Sequence, residues 1–173
     1  MTVAEACDRS FEIDIALPCP AWRDACPGIE RLIEDAAAAA LVRELAMGAL
    51  GRAAVLDIRL GDDAEQRELN RRYCGRDAPT NVLAFPASDP GAPLPAGAPL
   101  LLGDVVLAFE TVAREAAEQR KTLVDHARHL VVHGVLHLLG YDHATEAEAE
   151  AMEAREREIL AGLGVPDPYR DIT

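Results

Sequence analysis

The longest apolar run in the chain, Leu130 to Leu139, is broken by His133, Gly134 and His137. It is about half the length needed to span a bilayer, so the sequence predicts no transmembrane segment. The run belongs to a predicted helix over 122–139. That helix is apolar on its other faces through Leu130, Val131, Val132, Val135, Leu136, Leu138 and Leu139. Imidazoles buried in such surroundings are costly without partners. A fold that encloses this helix must therefore give its histidines something to bind.

The remaining periodicities predict the order β, α, β, α, β, β, α, α, α. Strands are expected over Phe11–Leu17, Ala53–Leu60, Thr80–Phe85 and Leu100–Phe109. The other helices are expected over 28–47, 63–73 (capped by Asp62 or Asp63), 111–120 and 145–162. Pro86 to Pro99 holds five Pro and two Gly. It can continue neither a strand nor a helix, and is expected to be a mobile surface loop. No repeat or linker divides the 173 residues, half of them hydrophobic. The expectation is one α+β domain over 1–173, a four-stranded mixed sheet packed with about five helices.

All five histidines fall between 126 and 143. At about 100° per residue, His126, His129, His133 and His137 share one helical face. His133 and His137 stand one turn apart, roughly 6 Å along the axis, a spacing that lets two imidazoles converge on one metal ion. Gly140 permits a chain reversal that brings His143 toward the same point. Three imidazoles with a fourth position left to water is the pattern of a catalytic zinc, whose bound water can reach a pKa of about 7. Nickel and copper would also accept such a set. A zinc protease would carry its general-base Glu directly after the first histidine; here that residue is Gly134. Asp142 is a candidate to orient a ligand imidazole. His126 and His129 are candidate substrate contacts, with support of the site or a place at the core edge as the alternatives.

The net charge of −13 argues against a protein that coats nucleic acid non-specifically. The charge is uneven, however. Residues 66–76 carry four Arg and one Glu, and residues 145–160 carry six Glu and two Arg. The basic patch, with Arg71, Arg72 and Arg76, is a candidate phosphodiester docking point, since Arg binds phosphate bidentately. Tyr73 could stack on a base. The acidic stretch reads as a solvated helix face. The four cysteines, at 7, 19, 26 and 74, include no C-x-x-C pair and are expected to be reduced thiols. The first twenty residues lack a signal-peptide pattern, so the expected compartment is the cytoplasm.

The segment HGVLHLLGYDH, together with NRRYCGRDAPTNVLAFP, LLGDVVLAFETVAREA and the late VPDPY, resembles the YbeY family of bacterial endoribonucleases, the rRNA maturation factors. The resemblance covers about residues 53–170. It implies a compact α+β domain with one zinc ion in a cleft, held by His133, His137 and His143. It also implies cleavage of single-stranded RNA in 16S rRNA 3′-end maturation and ribosome quality control, with the small ribosomal subunit or its proteins as partners and neither DNA nor membrane. Two positions depart from the family pattern: Cys74 stands where Arg is usual, and Ala84 where Ser is common. With that arginine missing, Arg76 is the first candidate to offset charge on the reacting phosphate. Two alternatives share the metal site: a non-catalytic assembly factor with a structural metal, and a metal hydrolase of another substrate.

Overall fold

A computed structural model describes residues 11–46, 53–87, 93 and 95–170. Cys7, and residues 88–92 and 94 of the proline-rich loop, lie outside the described residues; Cys19, Cys26 and Cys74 are free thiols. Four strands form one sheet: β1 (Phe11–Ala16), β2 (Ala54–Gly61), β3 (Val82–Pro86) and β4 (Leu100–Ala108). The spatial order is β1-β2-β4-β3, with β1, β2 and β4 parallel and β3 antiparallel on the edge beside β4. Alternation sets the two faces. Leu56, Ile58 and Leu60 of β2 point into the core, while Asp57 and Arg59 are exposed. Asp14, Asp57 and Asp104 are register partners across β1, β2 and β4, so the open face carries a row of acids.

The described helices number six: α1 (Ala21–Ala25), α2 (Ile29–Ala46), α3 (Asp63–Cys74), α4 (Phe109–Glu118), α5 (Leu123–Leu138) and α6 (Glu146–Gly162). The single turn α1, which is not among the elements expected above, follows Pro20, a residue that ends strands. Proline's fixed φ also suits the start of a helix. That turn buries Trp22 completely; its indole N–H donates to the Gly61 carbonyl at 2.8 Å, and its ring meets Phe109 edge-on. Asp62 caps α3 by accepting from the Glu65 backbone N–H at 2.8 Å. Thr145 and Glu148 form a reciprocal capping box at the start of α6.

Helix α5 lies against β3 and β4, flanked by α2, α4 and α6. Its Val131, Val132, Val135 and Leu136 enter the same core as Ile29, Ile33, Leu41 and Leu56. Burying each such side chain contributes about 1.5–3 kcal/mol relative to exposure. The helix comes close to the sheet at Gly134, where a Cβ would lie 2.8 Å from Val105 Cγ1. Glycine here lets the helix settle onto the sheet and places the flanking His133 and His137 beside strand β3.

Candidate metal centre

Helix α5 begins at Thr122, whose hydroxyl accepts from the Asp125 backbone N–H at 3.0 Å. It ends at Gly140, which adopts the left-handed region at φ 101°. The Gly140 N–H donates to the His137 carbonyl and the Tyr141 N–H to the Leu136 carbonyl, both at 3.0 Å. These bonds close the helix end and turn the chain back. The Asp142 carboxylate then accepts from the His143 backbone N–H at 2.8 Å, fixing the returning segment.

Of the residues singled out from sequence, this turn brings His133, His137 and His143 together. Ring centroids are 4.6 Å apart for His133–His137, 4.9 Å for His137–His143 and 5.9 Å for His133–His143. One nitrogen from each ring lies within 4.8 Å of the others. The three rings face Asn81, Val82, Ala84 and Pro86 across a cleft of about 400 Å³. Ala84, one of the two departures from the family pattern, is thus part of the cleft wall.

Glu156 on α6 decides how the His133 ring presents itself, and the sequence reading missed it. Its side chain is fully buried. One carboxylate oxygen meets His133 Nδ1 at 2.5 Å; the other meets His129 Nε2 at 2.9 Å and accepts from the Tyr169 hydroxyl. Burial pushes the Glu156 carboxyl up, but the bonds from His129, His133 and Tyr169 together outweigh it and hold it at about 2. An ionised carboxylate only accepts, so His133 carries its proton on Nδ1 and leaves the Nε2 lone pair free. That Nε2 lies 3.1 Å from His137 Nε2. Burial first, then the neighbouring His133 and His143 rings, hold the His137 imidazole below its usual range, favouring the neutral form that ligates metals. At that distance one ring can donate its N–H to the other, or both lone pairs can face one cation. The donor set therefore fits a metal ion. Glu156 did leave one signal in the sequence: it lies on the stripe of Met152, Ile159 and Leu160, the buried side of α6.

His126 and His129 take internal partners. His126 is 3% exposed, with Nε2 2.8 Å from a Glu115 oxygen that also accepts from the Asn81 amide at 3.0 Å. Burial pushes its imidazole down, against the upward pull of Glu115. His126 thus supports the cleft wall through Glu115 and Asn81. The second ring nitrogens of His126 and His129 are both buried. At position 134, where a zinc protease would carry Glu, any side chain would press on Val105.

The basic patch sits at the end of α3, where Gly75 takes φ 69°. Arg67 pairs with Asp77 at 2.8 Å and Arg71 with Glu68 at 2.8 Å, both on the surface. Arg72 lies over the Tyr73 ring, which in turn packs on Phe85 of β3. None of Arg71, Arg72 and Arg76 is among the described residues that line the histidine cleft. Among the described residues, Arg76 makes no side-chain ion pair.

Three comparisons place this geometry. The family model for endoribonuclease YbeY matches residues 27–164. The endoribonuclease YbeY of Paramagnetospirillum magneticum is 54% identical over 162 residues, covering 92% of this chain and 96% of that protein. That of Chelativorans sp. is 48% identical over 169 residues, covering 98% and 99%. A solution structure from Thermotoga maritima shares the fold, with a TM-score of 0.57 at 24% identity over 93% of this chain and 98% of that one. With the matched segment containing the whole histidine triad and most of the sheet, the chain belongs to the endoribonuclease YbeY family.

Proposed function

We propose that this chain is a zinc-dependent endoribonuclease, one domain over residues 1–173 with one ion per chain, that cleaves single-stranded RNA in the cytoplasm. Its expected substrate is the 16S rRNA 3′ end, in maturation and ribosome quality control alongside the small subunit. The observation that carries this reading is the convergence of His133, His137 and His143 on a cleft wall, with no fourth carboxylate, thiol or imidazole joining them among the described residues. A structural site is closed by four protein ligands, whereas a catalytic one keeps a position open.

His133, His137 and His143 would hold the ion, with Glu156 fixing the His133 ring. When bound, the ion supplies Lewis acidity toward a phosphoryl oxygen and acidifies bound water. Asn81, held by Glu115, presents a polar edge to the cleft. Arg76 offsets charge developing on the phosphate. Arg71 and Arg72, with Tyr73 between Arg72 and Phe85, give the strand a cationic and aromatic track.

The test is His137→Ala, assayed for bound zinc and for cleavage of single- and double-stranded RNA. Zinc and single-strand cleavage are expected to disappear together. Full cleavage by metal-free His137→Ala would overturn the proposal. A wild-type protein that holds zinc but leaves RNA intact would instead be an assembly factor with a structural ion.

A further inference from the structure

Four described helices are followed by a residue in the left-handed region, and three of those residues are glycines: Gly75 after α3, Gly140 after α5 and Gly164 after α6. The fourth, after α4, is Arg120 at φ 55°, the only non-glycine residue with positive φ among the described residues. A side chain in that conformation is strained, and glycine would relieve it. Arg120 lines a cleft of about 510 Å³ between the α4–α5 turn and the segment Val165–Arg170. Lys121 and Arg170 line the same cleft, and all three also line a smaller one of about 390 Å³ that shares these walls.

The cleft is locally cationic on a chain of net charge −13. Lys121, the only lysine, is fastened by Nζ to two neutral acceptors, the Gln119 side chain at 2.9 Å and the Pro168 carbonyl at 2.8 Å. Two acids share the lining. Asp167 is also engaged by Arg157 and by the Tyr169 backbone N–H, so the lining sets three cations against two acids, one of them shared with a fourth cation. Thr122 at the start of α5 adds a helix N-terminus, which favours anions. His129 forms part of the wall, and its ring centroid lies 6.4 Å from that of His133. The cleft therefore begins one imidazole away from the metal centre, with Glu156 bonded to both rings.

We infer that this cleft is a second phosphate site, which binds a backbone phosphate of the RNA strand away from the scissile position through Arg120 and Arg170. The inference rests on the ribonuclease reading above. Arginine suits this role because its planar fork matches phosphate oxygens. The strain at Arg120 is then tolerated for a side chain that glycine cannot supply.

The test compares zinc-loaded wild type with Arg120→Gly/Arg170→Ala and with a charge-matched control, Arg23→Ala/Arg43→Ala. Binding of a labelled 2′-O-methyl oligouridine is followed by fluorescence anisotropy over a range of salt. The first double variant is expected to bind about 10-fold more weakly at 0.1 M salt, with a log–log salt slope smaller by about 0.7, the value for one phosphate contact on a single strand. Its zinc content stays at the wild-type level. Arg120→Gly alone keeps or raises the melting temperature, which separates lost binding from lost folding. An unchanged affinity and slope in the double variant, or an equal change in the control, would overturn the site while leaving wild-type cleavage intact. Wild type that neither binds nor cleaves RNA would remove the ribonuclease reading and this site with it.

Discussion

The Glu156 carboxylate meets His133 Nδ1 at 2.5 Å from a position in α6 with no solvent exposure. It links the ring of a proposed metal ligand to a helix beyond the histidine motif, and through its second oxygen to His129 and Tyr169. Outer partners of this kind fix ring orientation and raise ligand basicity, and losing one costs about 10–100-fold in metal affinity. Glu156→Gln keeps the shape but removes the charge and one acceptor oxygen. We predict zinc binding weaker by that range, measured by competition with a chromophoric chelator. A folded Glu156→Gln protein with wild-type zinc affinity would show that the contact is dispensable.

Gly134 gives a prediction about packing alone. Its missing Cβ would meet Val105 Cγ1 at 2.8 Å, closer than real Cβ contacts allow. Gly134→Ala should therefore cost about 1–3 kcal/mol, despite alanine's better helix propensity. Val105→Ala opens the space at the cost of a cavity. The two changes should then be non-additive, the double variant being more stable than the sum of the single losses predicts. Urea denaturation of all four proteins measures this; simple additivity would mean that the helix and strand do not press on each other here.

Much of this arrangement was legible because it is local. Alternation in FEIDIA and AVLDIRLG marked two strands, and the i, i+4 spacing of His133 and His137 with Gly140 beyond them marked the turn. Glu156 was hidden because its role depends on how α6 lies against α5, a tertiary relationship that five other glutamates in the same stretch obscure. The local pairing of the arginine cluster was hidden in a different way. Nearness in sequence suggested a pooled positive charge, but Arg67 and Arg71 are engaged by Asp77 and Glu68. The turn α1 was missed because Pro18 and Pro20 signal an end more strongly than a five-residue helix signals a beginning.

His126 should make stability depend on pH. Burial holds its imidazole below the usual 6.5, with His129 and Lys121 pushing the same way and Glu115 opposing them. A histidine whose folded pKa is depressed binds a proton more readily when unfolded. The stability it contributes is whole above about pH 6.5 and declines as pH falls from there toward the folded value. We predict that stability in urea falls as pH drops from 7 to 5, and that His126→Gln flattens this decline relative to wild type. Parallel curves would place the proton uptake elsewhere.

Arg76 provides the sharpest separation between holding the ion and acting on the phosphate. It follows Gly75 at the end of α3, its backbone N–H donates to the Asn70 carbonyl at 3.2 Å, and its side chain is exposed. Its neighbours Arg67 and Arg71 are occupied by carboxylates and Arg72 lies over the Tyr73 ring, which leaves Arg76 as the cation of this loop without such a partner among the described residues. Losing a single charge-stabilising donor from a reacting centre costs about 10²–10³ in rate when it contacts the developing charge directly. At an exposed loop the effect should be smaller, about 10-fold. We predict that Arg76→Ala slows single-strand cleavage by that factor with zinc content and melting temperature unchanged, and that Arg76→Lys restores part of the rate. If Arg71→Ala slows cleavage and Arg76→Ala does not, the phosphate contact belongs to Arg71, released from Glu68 when RNA binds.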